Sequence, residues 1–456
     1  MSILKKRKSL FVFVVLCLCA SLVACGQGAP QGTDQSDGEE TGQESAEDTA
    51  LTMWTFLDPN GTSPREVALK EIIENFEADN PNISIQVEPQ QWDTLGTKFL
   101  TAHQSGTAPD IFWITADDFG LALEQDAVVD FESLFLADWS EEEIDDVDNT
   151  FWHFGNKDGK HYQFTLSGNY TAIIYREDLL EEKGIEVPFK TWDDLVDAAK
   201  QLTEEDPDTG IMRYGFGQAF SMDAPDPQIF PPALIGEQGD LYTEDGKANW
   251  STDAGIEAMN LQLDMVREHG VTPEESVSYT MEDLYNDFKT GRYAMIIGSG
   301  VRIPSLQEEA TFDPETIQLT HFPSFDGSTH SPSVLNGWNV GVWSGSEHQE
   351  EAGKFVEYMV NEQSDEIWML TGGQAPIRQS TLENNEELLS KPENNYFNVM
   401  SEGIVNYGYT QPWEFSVSGW RSDLNKIAQD VLIGGKDVET AIKDAEAEFN
   451  ARNGAN

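Results

Sequence analysis

Cysteine is scarce in this sequence and is confined to one end. The 456 residues include three cysteines, Cys17, Cys19 and Cys25. Because no thiol follows Cys25, disulfides, thiolate metal sites and a cysteine nucleophile are excluded from the rest of the chain.

Positive charge is also in short supply. The chain has 27 lysines and arginines against 82 aspartates and glutamates, which gives a formal net charge of −55. A field of that sign excludes nucleic acid or an anionic bilayer surface as the ligand. The acids are spread along the whole chain, which favours a solvated acidic surface suited to a saline or alkaline exterior. A cationic ligand is the alternative.

Motifs for metal, phosphate and nucleophile chemistry are missing as well. The seven histidines never fall three or four residues apart, so no helix offers a zinc face. Gly434-Gly435-Lys436 lacks the spacing of a phosphate-binding loop, and Gly298-Ser299-Gly300 lacks that of a nucleophile elbow. The sequence therefore predicts no metal, no cofactor and no catalytic residue. Paired carboxylates for glycoside hydrolysis stay open, since 82 acids make chance pairs unavoidable.

The first 25 residues have the pattern of a secretion signal. A basic stretch, Lys5–Lys8, precedes an apolar run, Leu10–Ala20, that is short for a membrane span. The run ends in Leu22-Val23-Ala24-Cys25-Gly26, which resembles a bacterial lipobox. That resemblance implies that residues 1–24 are a signal peptide, which is cleaved off before Cys25, and that the Cys25 thiol carries a diacylglycerol. An ordinary signal peptide and a single transmembrane anchor are the alternatives.

Residues 25–50 and 51–456 differ in character. Between Gly26 and Ala50 there are seven acids but no aromatic residue, lysine or arginine, so this stretch cannot bury enough apolar surface to fold. We interpret it as a disordered acidic tether. The remaining residues are too many to pack around a single hydrophobic core, so two lobes are expected.

Apolar periodicity predicts alternating strands and helices from Leu51 onward. Strands are expected at Leu51–Phe56, Ile83–Val87 and Ile111–Ile114. A helix with a capping box begins at Ser63-Pro64-Arg65-Glu66, and a second spans about 93–103. This order predicts parallel strands joined by right-handed crossovers, with the ligand at their carboxyl ends.

The alternation continues further along the chain, although no element is assigned with confidence between Ile211 and Asn249. The expected strands are Thr171–Tyr175, Tyr293–Ile297 and Asn339–Trp343, and the expected helices are one capped by Thr191, Ser251–His269, Leu284–Phe288 and Gln349–Val360.

Aromatic residues are plentiful, with 12 Trp and 12 Tyr. Many stand beside planar polar residues in expected loops, as in a site for sugars, which present an apolar C–H face and a rim of hydroxyls. The candidate platforms are Trp54, Trp92, Tyr170, Trp338, Trp413 and Trp420. For any single tryptophan a place in the core is the alternative, and it is favoured for Trp54 and Trp113.

Several motifs, in their order and spacing, resemble one known family. They are Ala108–Trp113 with Asp117–Gly120, Thr171–Tyr175 with Asp178–Leu180, Thr191–Leu195, Phe288–Met295 and Gly372–Pro376. From Leu51 to Asn456 the chain is similar to the extracellular solute-binding proteins of bacterial ABC sugar importers, the group that includes maltodextrin-binding protein.

The resemblance implies an α/β, two-lobed periplasmic-binding-protein-like fold with a hinge of several crossings and a ligand cleft between the lobes. Residues 51–166 and 340–377 would form lobe 1, and residues 167–339 and 378–456 lobe 2. It further implies a monomer at the extracellular face of the cell membrane. This monomer would be anchored through lipid on Cys25 and would pass a small carbohydrate to an ABC permease.

Asp117 resembles the family's acceptor for sugar hydroxyls, with Asp118 beside it. Asn169 falls where the maltodextrin receptor has a ligand-binding acid, and Trp420 falls near a stacking aromatic. Asn336 and Trp338 lie where the chain recrosses between lobes. The full set of expected ligand-binding residues is Phe56, Trp92, Asp117, Asp118, Asn169, Tyr170, Arg302, Asn336, Trp338, Gln374, Trp413 and Trp420.

One departure from the family pattern concerns the ligand. Val301 stands where the maltodextrin receptor presents a tryptophan, which indicates a ligand other than maltodextrin. Arg302 beside it could bind an anionic sugar or form a surface ion pair. A secreted polysaccharide hydrolase, a binder of polyamines or cationic peptides and a structural surface protein are the other functions weighed.

Overall fold

The computed structural model describes residues 48–152, 156–166, 170–206, 210–223, 226, 228–335, 337–411 and 419–454. Within the helices and strands, the side chains of Asp117, Asn149 and Asn156 are outside this description. All described residues belong to one compact unit, Glu47–Asn456.

Two five-stranded sheets organise this unit. In the first sheet the order is Ile83–Pro89, Thr49–Thr55, Ile111–Thr115, Trp338–Val342, Phe164–Thr165. In the second it is Ile317–Thr320, Thr171–Arg176, Tyr293–Ser299, Met212–Gly217, Glu204–Glu205. Two-stranded ladders pair Asn156–Lys157 with Lys160–His161 and Ser333–Val334 with Gly408–Tyr409.

In the first sheet, Thr49–Thr55 runs parallel to Ile83–Pro89 and to Ile111–Thr115. Trp338–Val342 is antiparallel to Ile111–Thr115, and Trp338 pairs with Thr115. The same strand is antiparallel to Phe164–Thr165 on its other side. The strands expected from the sequence in this region are confirmed to within two residues at each end.

Helices surround both sheets. Their bounds are Pro64–Asp79, Leu95–Ser105, Ala116–Glu124, Glu141–Asp146, Asn149–Trp152, Glu177–Lys183, Trp192–Leu202, Phe230–Gln238, Asp253–Arg267, Met281–Lys289, Ile303–Glu309, Gln349–Met359, Glu362–Leu370, Gln379–Asn384, Glu386–Leu389, Asn395–Tyr407, Trp420–Leu432 and Val438–Asn453.

The first helix shows how the sequence pattern becomes packing. Ser63 and Glu66 form the expected capping box, and Pro64 occupies the first turn. The apolar positions Leu69, Ile72, Ile73 and Phe76 are all buried, because residues spaced three and four apart share one helix face.

The apolar core extends through both sheets. A large cluster joins Leu51 and Trp113 of the first sheet to Ile174 and Ile296 of the second. A smaller cluster, which includes Trp54, covers the other face of the first sheet. The expected core positions of Trp54 and Trp113 are confirmed, since their exposed fractions are 9% and 1%. Among the described residues, no helix is long and apolar enough to cross a membrane.

Candidate functional site

One edge of the first sheet holds four of the twelve expected binding residues, namely Phe56, Trp92, Asp118 and Trp338. The parallel strands Thr49–Thr55, Ile83–Pro89 and Ile111–Thr115 end at this edge, where Trp338–Val342 begins opposite Thr115. Residues that follow the parallel strands and precede the antiparallel one are therefore neighbours. In open α/β sheets ligands bind at such carboxyl edges.

Phe56 and Trp338 form the centre of this edge. Their ring centroids are 4.2 Å apart with planes tilted by 35°, and both residues are half-buried. Phe56 also packs edge-on against buried Trp113, at 6.3 Å. The pair is thus anchored in the core and still reaches solvent, which is the arrangement of an aromatic platform.

Asp118 follows the strand Ile111–Thr115, whose last residue pairs with Trp338. Asp118 Oδ2 accepts a hydrogen bond of 3.1 Å from Thr115 Oγ1. The same carboxylate lies so close to Gly96 that a Cβ there would approach it to 2.1 Å, so a larger residue at this point of the helix Leu95–Ser105 would displace Asp118. Trp92, after the strand Ile83–Pro89, is 56% exposed.

A corresponding edge of the second sheet contains Tyr285, Ser299 and Arg302. Tyr285 Oη accepts a hydrogen bond of 2.9 Å from the backbone N–H of Ser299, and burial raises the pKa of Tyr285 to about 12. The Arg302 guanidinium lies 4.8 Å from the Tyr285 ring centre. It also forms a 2.7 Å ion pair with Glu282. An ion pair is one of the two roles expected for Arg302.

The chain crosses between the two edges in short segments. Leu166 follows the first sheet, and Tyr170 directly precedes a strand of the second. Four Cα–Cα steps of 3.8 Å separate them, so these points are at most about 15 Å apart. The Leu166 N–H donates to the Trp338 carbonyl oxygen at 3.1 Å, which ties the crossing to the platform.

A further approach between the two parts involves Gly373 and Pro304. A Cβ on Gly373 would lie 2.7 Å from Pro304 Cγ. Gly373 also has a positive φ of 68°. Its neighbour Gly372 packs near Ala68 of the first helix. The loop thus approaches both the helix Pro64–Asp79 and the helix Ile303–Glu309.

Three expected binding residues lie inside the protein. Tyr170 and Gln374 have exposed fractions of 0%, and Trp420 of 1%. Burial raises the pKa of Tyr170, whose hydroxyl is 2.8 Å from His321 Nδ1. Gln374 Nε2 donates to the Gly372 carbonyl oxygen at 3.1 Å. Because protein atoms already cover these side chains, we leave them out of the site proposed below.

Other expected positions are not described. Asn169, Asn336 and Trp413, like the lipidation site Cys25, lie outside the described residues, as does the side chain of Asp117. Their roles stay predictions. No cluster of three histidine, cysteine or acidic side chains suited to a metal occurs in the part of the chain that the structure describes.

The structure adds charged residues that sequence reasoning passed over. The sequence pattern places Arg65 at a helix start, and the structure brings its guanidinium to 5.0 Å from the Phe56 ring centre. Burial raises the pKa of Asp226, against the opposing effect of nearby Arg421, and Asp226 is close enough to Tyr285 to affect that residue's pKa. A basic residue in so acidic a chain, in the first turn of the helix that follows the first strand, is the available signal for Arg65.

Comparison with known proteins gives one matching family. The model described as "Bacterial extracellular solute-binding protein" matches residues 60–366. The arabinooligosaccharide-binding protein of Halalkalibacterium halodurans is 24% identical over 346 residues, 72% of this chain and 71% of the relative. A Streptomyces antibioticus protein described as an uncharacterized lipoprotein is 22% identical over 331 residues, 69% of each chain.

Among solved structures, the GacH receptor of Streptomyces glaucescens is similar with a TM-score of 0.74. The two sequences are 21% identical, and the match covers 89% of this chain and 99% of the receptor. That receptor was solved unliganded and in complex with acarbose and an acarbose homolog. The expected two-lobed α/β fold is confirmed by this similarity.

Proposed function

Since the chain belongs to the bacterial extracellular solute-binding proteins, we propose that it captures a small carbohydrate between its lobes and delivers it to an ABC permease. The family consists of extracellular carriers, and this, not a missing catalytic group, confirms the predicted non-enzymatic role. The observation that carries the carbohydrate proposal is the half-buried Phe56–Trp338 pair at the carboxyl edge of the first sheet.

The chemistry of this edge suits a sugar. The exposed parts of the Phe56 and Trp338 rings offer an apolar surface for the C–H face of a pyranose or furanose. Asp117 and Asp118, which follow the neighbouring strand, would accept hydrogen bonds from ring hydroxyls, and Asn169 and Asn336 would add planar amides. We expect such a site to bind with micromolar affinity, about −8 kcal/mol.

Transport then follows from closure about the crossings. A solute bound to one lobe recruits the other, and the permease binds the closed form. The ligand shifts this equilibrium only by its differential affinity for the closed state. Micromolar binding is compatible with release, whereas much tighter binding would slow it.

We also propose that the protein is a monomer held at the membrane by lipid on Cys25. Support comes from the Leu22–Gly26 pattern and from the relative described as a lipoprotein. The acidic stretch from Gly26 to Asp48 would then serve as the tether, two residues shorter than expected because the first strand begins at Thr49, with a mean reach of roughly 25 Å as a random coil.

Two tryptophans at opposite ends of one strand provide a matched test. Trp338 begins the strand at the proposed site, whereas Trp343 follows its other end and donates through Nε1 to His103 Nδ1 at 3.1 Å. We expect Trp338→Leu to weaken binding of arabinotriose or maltotriose, whichever binds wild type, at least tenfold, about 1.4 kcal/mol. Leucine keeps apolar bulk but removes the flat ring.

Titration calorimetry on both variants measures this effect. Trp343→Leu lowers stability but leaves the affinity of the folded protein unchanged in this account. Equal affinities of Trp338→Leu and wild type, or equal losses in both variants, would remove the platform from the site.

A further inference from the structure

Most arginines in the described part of the chain have carboxylate partners. Ion pairs are formed by seven of them: Arg176, Arg213, Arg267, Arg292, Arg302, Arg378 and Arg452. Arg65 differs, because its guanidinium makes no hydrogen bond or ion pair with any residue that the structure describes. With 82 acidic residues available, an unpaired arginine requires a reason.

Arg65 lies beside the Phe56–Trp338 pair. Its guanidinium carbon lies 5.0 Å from the centre of the Phe56 ring, the ring that contacts Trp338. Arg302, from the second-sheet side, is near enough for its positive charge to act on Arg65. Burial, followed by this like charge, lowers the pKa of Arg65 to about 10.

The two carboxylates near Arg65 are already engaged elsewhere. Glu66 Oε2 accepts hydrogen bonds from the backbone N–H and the hydroxyl of Ser63, at 2.9 and 2.7 Å. Glu282 is paired with Arg302 at 2.7 Å. The planar donor fork of Arg65 therefore points to an acceptor that is not part of the described chain.

We propose that the ligand is an acidic carbohydrate and that Arg65 binds its carboxylate. This deepens the proposed function and rests on it. A sugar ring stacked on Phe56 and Trp338 would carry its substituents next to the guanidinium, which already contacts Phe56. The guanidinium fork matches a carboxylate in a bidentate manner and binds it more strongly than it binds neutral hydroxyls. Arg302, which is paired with Glu282, leaves Arg65 as the guanidinium available to the ligand.

The placement of these arginines opposes the charge of the whole molecule. A net charge of −55 repels an anionic solute at long range, so a site built only for neutral sugars gains nothing from an unpaired guanidinium group beside its aromatic rings. Local cations at the site are what an anionic solute needs in order to bind such a protein.

Matched ligands test the inference directly. Trigalacturonate and its full methyl ester share one skeleton and differ in charge, and a sulfated disaccharide separates sulfate from carboxylate. By titration calorimetry we expect trigalacturonate to bind wild type at least tenfold more tightly than the ester. Arg65→Gln removes that preference, Arg65→Lys keeps part of it, and Arg267→Gln, at an exposed surface ion pair, keeps all of it.

Each other outcome contradicts a stated part of the account. If the ester binds as tightly as the acid, or Arg65→Gln weakens both equally, the acidic-ligand inference fails while carbohydrate binding stands. If the sulfated sugar alone depends on Arg65, the carboxylate assignment is wrong. If neither acidic nor neutral sugars bind, the proposed function fails together with the inference. Melting curves of the variants verify that they are folded.

Discussion

At the scale of the residue, the buried carboxylate of Asp365 links two segments of the chain. Asp365 is 2% exposed, and its two oxygens accept hydrogen bonds from the backbone N–H groups of Ile377 and Arg378 at 3.0 and 3.1 Å. Burial raises the pKa of Asp365 to about 6, although these hydrogen bonds oppose the rise. The residue thus joins the helix Glu362–Leu370 to the segment that leads out of the Gly372–Gly373 loop.

This raised pKa predicts a pH dependence of stability. A carboxyl whose pKa is higher in the folded state contributes stability below its unfolded pKa, near 3.9, and loses it as the pH rises through about 6. Between pH 5 and pH 8 the free energy of unfolding of wild type should therefore fall, relative to Asp365→Asn, by about 1 kcal/mol.

Urea unfolding at several pH values measures the difference. Glu366→Gln, at the exposed next position of the same helix, is the control and should run parallel to wild type. A wild-type curve parallel to that of Asp365→Asn would show that Asp365 titrates alike in both states.

At this scale the sequence predicted apolar burial better than polar contacts. Trp54 and Trp113 were expected in the core because they fall on apolar strands, and both are there. The backbone partners of Asp365 and the position of Arg65 over Phe56 were not foreseen, since each depends on segments that meet only in the folded chain.

Local signals determine much of the structure at the scale of the element. Thr191 Oγ1 accepts a hydrogen bond from the Asp194 N–H at 3.1 Å, and Asp194 Oδ2 accepts one from the Thr191 N–H at 2.9 Å. This reciprocal box begins the helix Trp192–Leu202, whose Trp192, Leu195 and Val196 are buried. The sequence pattern alone predicted this start.

Thr191→Ala removes half of the box. We expect the free energy of unfolding to fall by about 1 kcal/mol, the usual effect of losing a threonine cap, as measured in urea. Thr101→Ala, at an exposed interior position of the helix Leu95–Ser105, should leave stability unchanged or slightly higher. Equal effects of the two substitutions would mean that the cap contributes nothing specific.

In the stretch Ile211–Asn249, local sequence patterns did not predict the secondary structure. It contains the strand Met212–Gly217 and the helix Phe230–Gln238, neither of which was predicted. Pro231 and Pro232 break a helical pattern when they are read as interior residues, but they occupy the first turn, where proline is tolerated. The strand is short and is specified by pairing with Tyr293–Ser299, far away in sequence.

At the scale of the whole molecule, the arrangement of elements defines the site. Trp338–Val342 joins the first sheet through Ile111–Thr115, more than two hundred residues earlier, and this pairing brings Trp338 beside Phe56. The two-lobed fold was expected from family resemblance, and the matching family and structural similarity confirm it. Which aromatics remain accessible could not be predicted, because Tyr170 and Trp420 are covered by distant segments.

A carbohydrate held between two lobes should stabilise the entire unit by mass action. At a ligand concentration of about 100 Kd the gain in free energy of unfolding is about 2.7 kcal/mol, enough to raise the melting temperature by several degrees. The stabilisation requires no chemical change in the sugar.

The most direct measurement is a thermal-shift screen of the protein against neutral and acidic mono- and oligosaccharides, polyamines and peptides, with product analysis of each incubation. The account predicts a rise in melting temperature with one class of sugar and no turnover of it. An unchanged melting temperature with every sugar, together with a salt-sensitive rise with polyamines, would contradict carbohydrate binding. Hydrolysis products would contradict the carrier role.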